Sequence, residues 1–124
     1  MNDNKKKVLV VDDDIQAVEM LSVILEDKGF DVIPAYVGEI GLKKAKEYLP
    51  DIIILDITMP GMDGFKVCEE IKRNPPTSHI PIIMLTGKDM GKDFDKAMQK
   101  KADWYVVKPY NIEHLLKVFE RLLK

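Results

Sequence analysis

The chain has 124 residues and a formal net charge of −2, a length that suits one hydrophobic core and is too short for two ordinary domains. The charge argues against direct nucleic-acid binding, and no apolar run approaches the roughly 18 to 20 residues that a membrane span needs. The single cysteine, Cys68, cannot form an internal disulfide, so we predict a reduced thiol and a cytoplasmic location. Residues 1–7 are predicted to be a polar tail that precedes one domain over 8–124.

The first predicted strand is the apolar run from Val8 to Val11, which ends abruptly in the acidic run from Asp12 to Asp14. Apolar residues then recur at helical spacing between Ile15 and Lys28, and Gly29 suits the C-terminal cap of that helix. The chain therefore opens with a strand, an acidic loop and a helix.

The second strand and helix have weaker patterns. A strand is predicted over Phe30 to Ala35, and Pro34 within it cannot donate to a strand ladder, which is typical of a sheet edge. Leu42, Ala45 and Leu49 recur at helical spacing and predict a short amphipathic helix that runs to Pro50, with these residues on its apolar face.

The third strand is the strongest in the chain. Ile52 to Leu55 is an uninterrupted apolar run, three of its residues being β-branched, which suits a strand that is buried on both faces. Asp56 follows at the strand's C-terminal tip, and the turn-forming residues of Pro60 to Gly64 take the chain away in a stiff loop. Because ligands bind outside the carboxyl ends of parallel strands, Asp56 is predicted to line a crevice.

The remaining sequence continues the same alternation of helices and strands. The predicted elements are a helix from Phe65 to Ile71, a strand from Ile82 to Leu85 that ends in Thr86, a weak helix around Phe94 to Met98, a strand from Trp104 to Val107 that ends in Lys108, and a closing helix from Ile112 to Leu123 with Asn111 as its N-cap. Five strands alternating with five helices predict an α/β fold, a doubly wound parallel sheet with right-handed crossovers.

Polar side chains end four of these strands at the same edge of the sheet. Asp12, Asp13 and Asp56 would repel one another without a cation, and carboxylate oxygens with room for water suit Mg²⁺. Asp56 is placed to attack phosphorus and carry an aspartyl phosphate. Lys108 offers a compact positive charge and Thr86 a hydroxyl, both suited to phosphoryl oxygens.

Each of these residues alone has a simpler interpretation. An acid after a strand is usually a solvated turn residue, and the run from Asp12 to Asp14 can serve only to cap the first helix. Thr86 alone is most often a β-branched strand end, and Lys108 alone a surface charge. His79 and His114 have no acidic or cysteine partners at ligand spacing, so we do not expect them to bind metal.

Four motifs occur in order along essentially the whole chain: Val11 to Asp14, Pro50 to Gly64, Pro81 to Gly87, and Tyr105 to Pro109. Together they closely resemble the receiver domain of two-component response regulators, in its single-domain, chemotaxis-regulator form. The resemblance implies a flavodoxin-like (βα)5 sheet with strand order 2-1-3-4-5.

The resemblance also implies a phosphoacceptor and its metal ligands. Asp56 matches the phosphoacceptor, and Asp12 and Asp13 match the acids that bind Mg²⁺ with Asp56 and the backbone carbonyl of Thr58. Thr58 and Lys88 match positions that tune the lifetime of the phosphate. The phosphoryl donor would be a phosphohistidine of a sensor histidine kinase or a phosphotransfer protein.

The same comparison implies how the switch works. Thr86 and Lys108 match the phosphate-sensing pair, Tyr105 matches the aromatic switch position, and the Lys108–Pro109 peptide bond is expected to be cis. One departure is Lys101, where the family usually has glycine, because a left-handed helix end would cost a lysine about 1 kcal/mol.

We therefore predict a stand-alone phosphorylation switch rather than an enzyme. The switch catalyses only its own phosphorylation and slow dephosphorylation. Phosphorylation would alter the face formed by the fourth helix, the fifth strand and the fifth helix for a downstream effector protein. One alternative is a receiver fragment of a larger DNA-binding regulator that continues past Lys124. A Mg²⁺-dependent phosphohydrolase would need a substrate-recognition cap, for which 124 residues leave no room. A flavin-binding module would need a Ser/Thr/Gly-rich loop after the first strand, where this chain has Asp12 to Asp14.

Overall fold

The computed structural model describes residues 5–87 and 90–123. Within these ranges one parallel sheet has the strand order β2-β1-β3-β4-β5, with β1 (Lys7–Val11), β2 (Asp31–Ala35), β3 (Ile52–Asp56), β4 (Ile82–Thr86) and β5 (Trp104–Val107). A helix follows each strand: α1 (Ile15–Asp27), α2 (Gly38–Tyr48), α3 (Gly64–Arg73), α4 (Met90–Gln99) and α5 (Ile112–Leu122). No helix in the described part of the chain has the length and apolar character to cross a bilayer. The predicted fold class and strand order are confirmed.

The central strand β3 is apolar throughout because its two faces contact two different cores. Ile52 and Ile54 pack in a cluster with residues of α1 and α5, whereas Ile53 and Leu55 pack in a second cluster with residues of α2, α3 and α4. Successive side chains of a strand point to opposite faces, so a sheet covered on both faces requires an uninterrupted apolar run.

Pro34 lies on the edge strand β2, as its missing N–H predicts. Its carbonyl accepts a hydrogen bond of 2.6 Å from Lys44 Nζ, which covers part of this sheet edge. The neighbouring strand β1 begins at Lys7, inside the segment predicted as a tail. The Lys7 backbone N–H donates to Asp51 Oδ2 at 2.8 Å, which helps to fix the first strand.

Two helix ends follow local sequence rules. Asn111 caps α5 by accepting from Glu113 N at 2.8 Å and His114 N at 3.3 Å, and Gly29 after α1 has a φ of 98°. The prediction for Leu49 is wrong. Instead of packing on the apolar face of α2, Leu49 is its C-cap, with a φ of 47° and 49% of its surface exposed, because the helix ends at Tyr48.

Lys101 follows α4 with a left-handed φ of 71°, a conformation that glycine adopts without steric cost. Lys101→Gly is therefore expected to raise the free energy of unfolding by about 0.5 to 1 kcal/mol in urea titrations. The matched control is Gln99→Gly, the last residue of α4, which should lower stability by a similar amount. A less stable Lys101→Gly variant would contradict the prediction.

Candidate functional site

The site lies at the carboxyl edge of the adjacent strands β1 and β3. These strands pair in parallel, with Val11 opposite Leu55, so the acids that follow each of these residues come to the same place. Asp56 is the last residue of β3 and only 5% exposed. Parallel pairing thus brings together acids that are 44 residues apart in the sequence.

The three acids after β1 have different roles. Asp14 is the N-cap of α1, and its side chain accepts from Ala17 N at 3.2 Å. Asp12 is buried, and its Oδ1 accepts from Asp14 N at 3.0 Å, whereas Asp13 is exposed. The capping interpretation therefore applies to Asp14, and the other two acids remain available to the site.

Asp12, Asp13 and Asp56 each offer one carboxylate oxygen, and these oxygens lie within 4.8 Å of one another. Oxygens that share one Mg²⁺ lie about 3 to 4 Å apart, because each Mg–O bond is about 2.1 Å long. Small side-chain adjustments would close the remaining distance. The donor set and its spacing fit a small, hard cation.

Lys108 brings a positive charge to the same acids. Its Nζ lies 3.1 Å from Asp12 Oδ2 and 3.4 Å from Asp56 Oδ1. Lys108 directly follows β5, its backbone N–H donates to the Thr86 carbonyl, and its peptide bond to Pro109 is cis. The lysine thus reaches across the end of β4 and contacts carboxylates that follow β1 and end β3.

Burial and charge change the acid–base properties of this cluster. The pKa of Asp56 is raised from 3.8 to about 6, chiefly by burial and then by the Asp12 charge, while the Lys108 charge partly opposes both. Burial acts to lower the pKa of Lys108, but its hydrogen bond to Asp12 and the Asp56 charge outweigh burial and raise that pKa. The carboxylates and the lysine stabilise each other's charged forms.

The remaining predicted residues lie around this cluster. Thr86 is fully buried at the end of β4, one residue beyond Leu85, which pairs with Asp56. Thr58 is exposed in the loop after β3, and Tyr105 is half-buried against the core on β5. Lys88 lies outside the residues that the structure describes.

Tyr110, which the sequence patterns did not single out, borders the site. It lines a groove of about 570 Å³ between α1 and the segment after β5, together with Asp12 and Lys108. Burial raises its pKa, the Lys108 charge lowers it, and the Asp12 charge raises it. Its position directly after Lys108–Pro109 was the one indication available from the sequence.

The residues predicted to have no part in the site lie elsewhere. His79 and His114 are exposed, the first in the loop before β4 and the second on α5. Cys68 is buried on α3, and its Sγ lies 3.3 Å from the Lys100 carbonyl oxygen, to which the thiol donates. Burial raises the pKa of Cys68 to about 12, so it remains a thiol.

Comparison with known families agrees with this geometry. The family model described as "Response regulator receiver domain" matches residues 8–120. The alkaline phosphatase synthesis transcriptional regulatory protein PhoP of Bacillus subtilis is 44% identical over 108 residues, which are 86% of this chain and 43% of PhoP. The DNA-binding dual master transcriptional regulator RpaA of Synechocystis is 36% identical over 118 residues, 95% of this chain and 49% of RpaA. The chain spans about half the length of these relatives.

Solved structures of similar length match over nearly the whole chain. The chemotaxis protein CheY4 of Vibrio cholerae superposes with a TM-score of 0.90 at 36% identity, covering 96% of this chain and 99% of that one. A putative response regulator of Chloroflexus aurantiacus gives a TM-score of 0.92 at 32% identity, with 97% and 98% covered. The likeness therefore extends from the motifs to the complete fold.

Proposed function

The chain belongs to the response regulator receiver family, and from that premise we propose that it is a phosphorylation-dependent switch with Asp56 as phosphoacceptor. The donor is a phosphohistidine of a sensor histidine kinase or phosphotransfer protein, and the recipient of the signal is a downstream effector protein. The domain acts in the cytoplasm and does not itself bind membrane or nucleic acid. It catalyses only its own phosphorylation and dephosphorylation.

One observation carries the proposal: a nucleophile, two further carboxylates and a lysine converge on one point. Asp12, Asp13 and Asp56 offer oxygens within 4.8 Å of one another, and Lys108 lies 3.1 and 3.4 Å from two of these carboxylates. Phosphoryl transfer requires positive charge around the equatorial oxygens and a nucleophile in line with the leaving group. In this arrangement Asp56 supplies the nucleophile, Lys108 supplies a positive charge, and the carboxylates can hold a cation.

The side chains would act in sequence at this point. An Asp56 oxygen attacks phosphorus and forms an acyl phosphate, while the N–P bond of the phosphohistidine breaks and the imidazole leaves with the electron pair. Lys108 exchanges its contact with the Asp56 carboxylate for a phosphoryl oxygen. The Thr86 hydroxyl, at the end of the adjacent strand, donates to a second phosphoryl oxygen.

Mg²⁺, when bound by Asp12, Asp13, Asp56 and the Thr58 carbonyl, supplies charge that partly neutralises the phosphoryl oxygens. Thr58 and Lys88 would tune the lifetime of the phosphate, because water must approach phosphorus in line and residues at the rim obstruct or orient it. Exchanging both residues and following the loss of label from the phosphorylated protein tests this role.

The direct test of the proposal is intact-mass spectrometry of the protein after incubation with acetyl phosphate. With Mg²⁺ present we expect the addition of one phosphoryl group, and with excess EDTA we expect none, because the three carboxylates then repel the donor. Equal labelling in EDTA would contradict the metal-dependent mechanism. Continuous turnover of a soluble phosphate ester such as p-nitrophenyl phosphate would instead favour a phosphohydrolase.

The output surface would be the face formed by α4, β5 and α5. Thr86 and Val107 are paired across β4 and β5, and Tyr105 lies two residues earlier on β5, packed against the core. A phosphoryl group on Asp56 gives the Thr86 hydroxyl a charged acceptor, so the hydroxyl moves toward it and the Tyr105 ring fills the vacated space. Because folded proteins exist as ensembles, the active form would be a minor population before phosphorylation.

An amide chemical-shift comparison with and without beryllofluoride, a phosphoryl mimic, tests this output surface. We expect changes at the loop after Asp56 and, in addition, at amides between residues 90 and 110. The Asp56→Asn variant is the control and should show neither set of changes. Shifts confined to the Asp56 loop would point to a different output face.

A further inference from the structure

The loop between β3 and α3, residues 57–63, connects the phosphoacceptor to the next helix. It contains Thr58, whose carbonyl belongs to the proposed metal site. A loop that supplies a backbone ligand must be held in one position, because backbone atoms cannot adjust through side-chain rotamers. Two glycines, Gly38 and Gly64, lie unusually close to the backbone at the two ends of this loop.

Gly64, the first residue of α3, lies against the start of the loop. A methyl group placed on Gly64 would press against the carbonyl oxygen of Asp56 and lie 2.8 Å from the Cα of Ile57. The Gly64 N–H also donates to the Ile57 carbonyl at 3.0 Å. The beginning of α3 therefore packs directly against the backbone of the phosphoacceptor.

Gly38, the first residue of α2, lies against the other end of the loop. A methyl group placed there would press against the carbonyl oxygen of Met62 and lie 2.9 Å from Val67 Cγ2. Met62 immediately precedes Asp63, which caps α3 by accepting from Lys66 N at 3.0 Å. A rigid carbonyl cannot rotate away from an added methyl group as a side chain can, so any residue larger than glycine at position 38 must shift the loop relative to α2.

Other glycines of the chain differ in what they approach. A methyl group on Gly41, also in α2, would lie 2.7 and 2.8 Å from the two methyl groups of the Val11 side chain, and a methyl group on Gly87 would have no atom within 4 Å. Crowding at Gly41 therefore involves a side chain of β1, whereas crowding at Gly38 involves the backbone of the phosphoacceptor loop.

We propose that Gly38 is a positioning residue for the phosphorylation reaction: its missing side chain lets the Met62 carbonyl lie against α2, and this contact sets the position of the Thr58 carbonyl at the metal site. The inference rests on the proposed function, since the ligand that it positions is part of the Mg²⁺ site. Mg²⁺ requires near-ideal octahedral geometry, so displacement of one ligand weakens binding.

Isothermal titration with Mg²⁺, without any phosphoryl donor, tests the proposal on Gly38→Ala and Gly41→Ala. Both variants add one methyl group to α2 at a crowded position. Gly38→Ala is expected to bind Mg²⁺ about tenfold more weakly than the unaltered protein, a loss typical of groups that orient metal ligands. Gly41→Ala is expected to lose less affinity than Gly38→Ala, because its methyl group contacts the Val11 side chain and leaves the loop backbone in place. Unchanged affinity in a folded Gly38→Ala variant would overturn the proposal.

Two further measurements separate the loop contact from other effects. The double variant Gly38→Ala/Val67→Ala relieves the side-chain contact but keeps the contact with the Met62 carbonyl. Its affinity for Mg²⁺ should therefore remain weak, and recovery of the affinity would overturn the proposal.

In the unaltered protein, Mg²⁺ should shift the amide resonance of Gly38 more than that of Gly41. This measurement does not require the Gly38→Ala variant to fold. A Gly38 amide resonance that does not shift on adding Mg²⁺ would also overturn the proposal. Absence of Mg²⁺ binding by the unaltered protein would instead refute the proposed function.

Discussion

Replacing Asp56 with asparagine is expected to abolish phosphoryl incorporation from acetyl phosphate, because the amide is a far weaker nucleophile than the carboxylate. Asp12 cannot replace Asp56. Its Oδ1 accepts from Asp14 N at 3.0 Å and its Oδ2 accepts from Lys108 Nζ at 3.1 Å, so both of its oxygens already have partners. Intact-mass spectrometry should show no added phosphoryl group on Asp56→Asn under conditions that label the unaltered protein.

Asp51→Asn is the matched control for this experiment. Asp51 lies at the opposite end of the same strand, where its side chain accepts from Lys7 N, so its replacement leaves the carboxyl edge of the sheet unchanged. This variant should be labelled to the same extent as the unaltered protein. Labelling of Asp56→Asn that requires Mg²⁺ would assign the phosphoacceptor to a different residue of the acidic cluster.

The Asp56→Asn variant should be more stable than the unaltered protein at neutral pH when metal is absent. The pKa of Asp56 rises from 3.8 to about 6 on folding, chiefly because of burial, so between these values the folded state binds more protons than the unfolded state. The free energy of unfolding therefore falls as the pH rises from about 4 to about 6, by about 2 to 3 kcal/mol for a shift of this size. Asparagine has no charge to bury and avoids this loss.

In EDTA at pH 7.5, Asp56→Asn is thus expected to raise the free energy of unfolding by about 2 to 3 kcal/mol, which corresponds to roughly 10 °C in the melting temperature. The gain should shrink toward zero near pH 4, where the Asp56 carboxyl is protonated in the folded protein. Thermal unfolding of both proteins across this pH range measures the difference.

Two comparisons make this prediction specific. Asp31→Asn changes an exposed carboxylate at the start of β2 and should leave stability nearly unchanged. Mg²⁺ should raise the melting temperature of the unaltered protein more than that of Asp56→Asn, because the variant lacks one carboxylate ligand and a ligand stabilises only the state that binds it. A gain in Asp56→Asn that is independent of pH would show that the carboxylate charge is not its cause.

Much of the fold was predictable because its determinants are local. The apolar run of β3, the missing N–H of Pro34 and the side-chain oxygen of Asn111 each act on neighbouring backbone, and the structure has a buried central strand, an edge strand and a helix cap at these positions. The acids and the lysine were also found from the sequence, since each directly follows an apolar run and the carboxyl ends of parallel strands share one edge.

Distances and partners depended on the tertiary structure. The sequence by itself established which residues end the strands, but the order and register of the strands decide that Lys108 lies between Asp12 and Asp56 and that Asp14 serves as a cap. Leu49 matched the helical pattern and lies outside the apolar face, because periodicity does not state where a helix ends. The contact between Gly38 and the Met62 carbonyl joins residues 24 positions apart, and it exists only because α2 packs beside the loop that leaves β3.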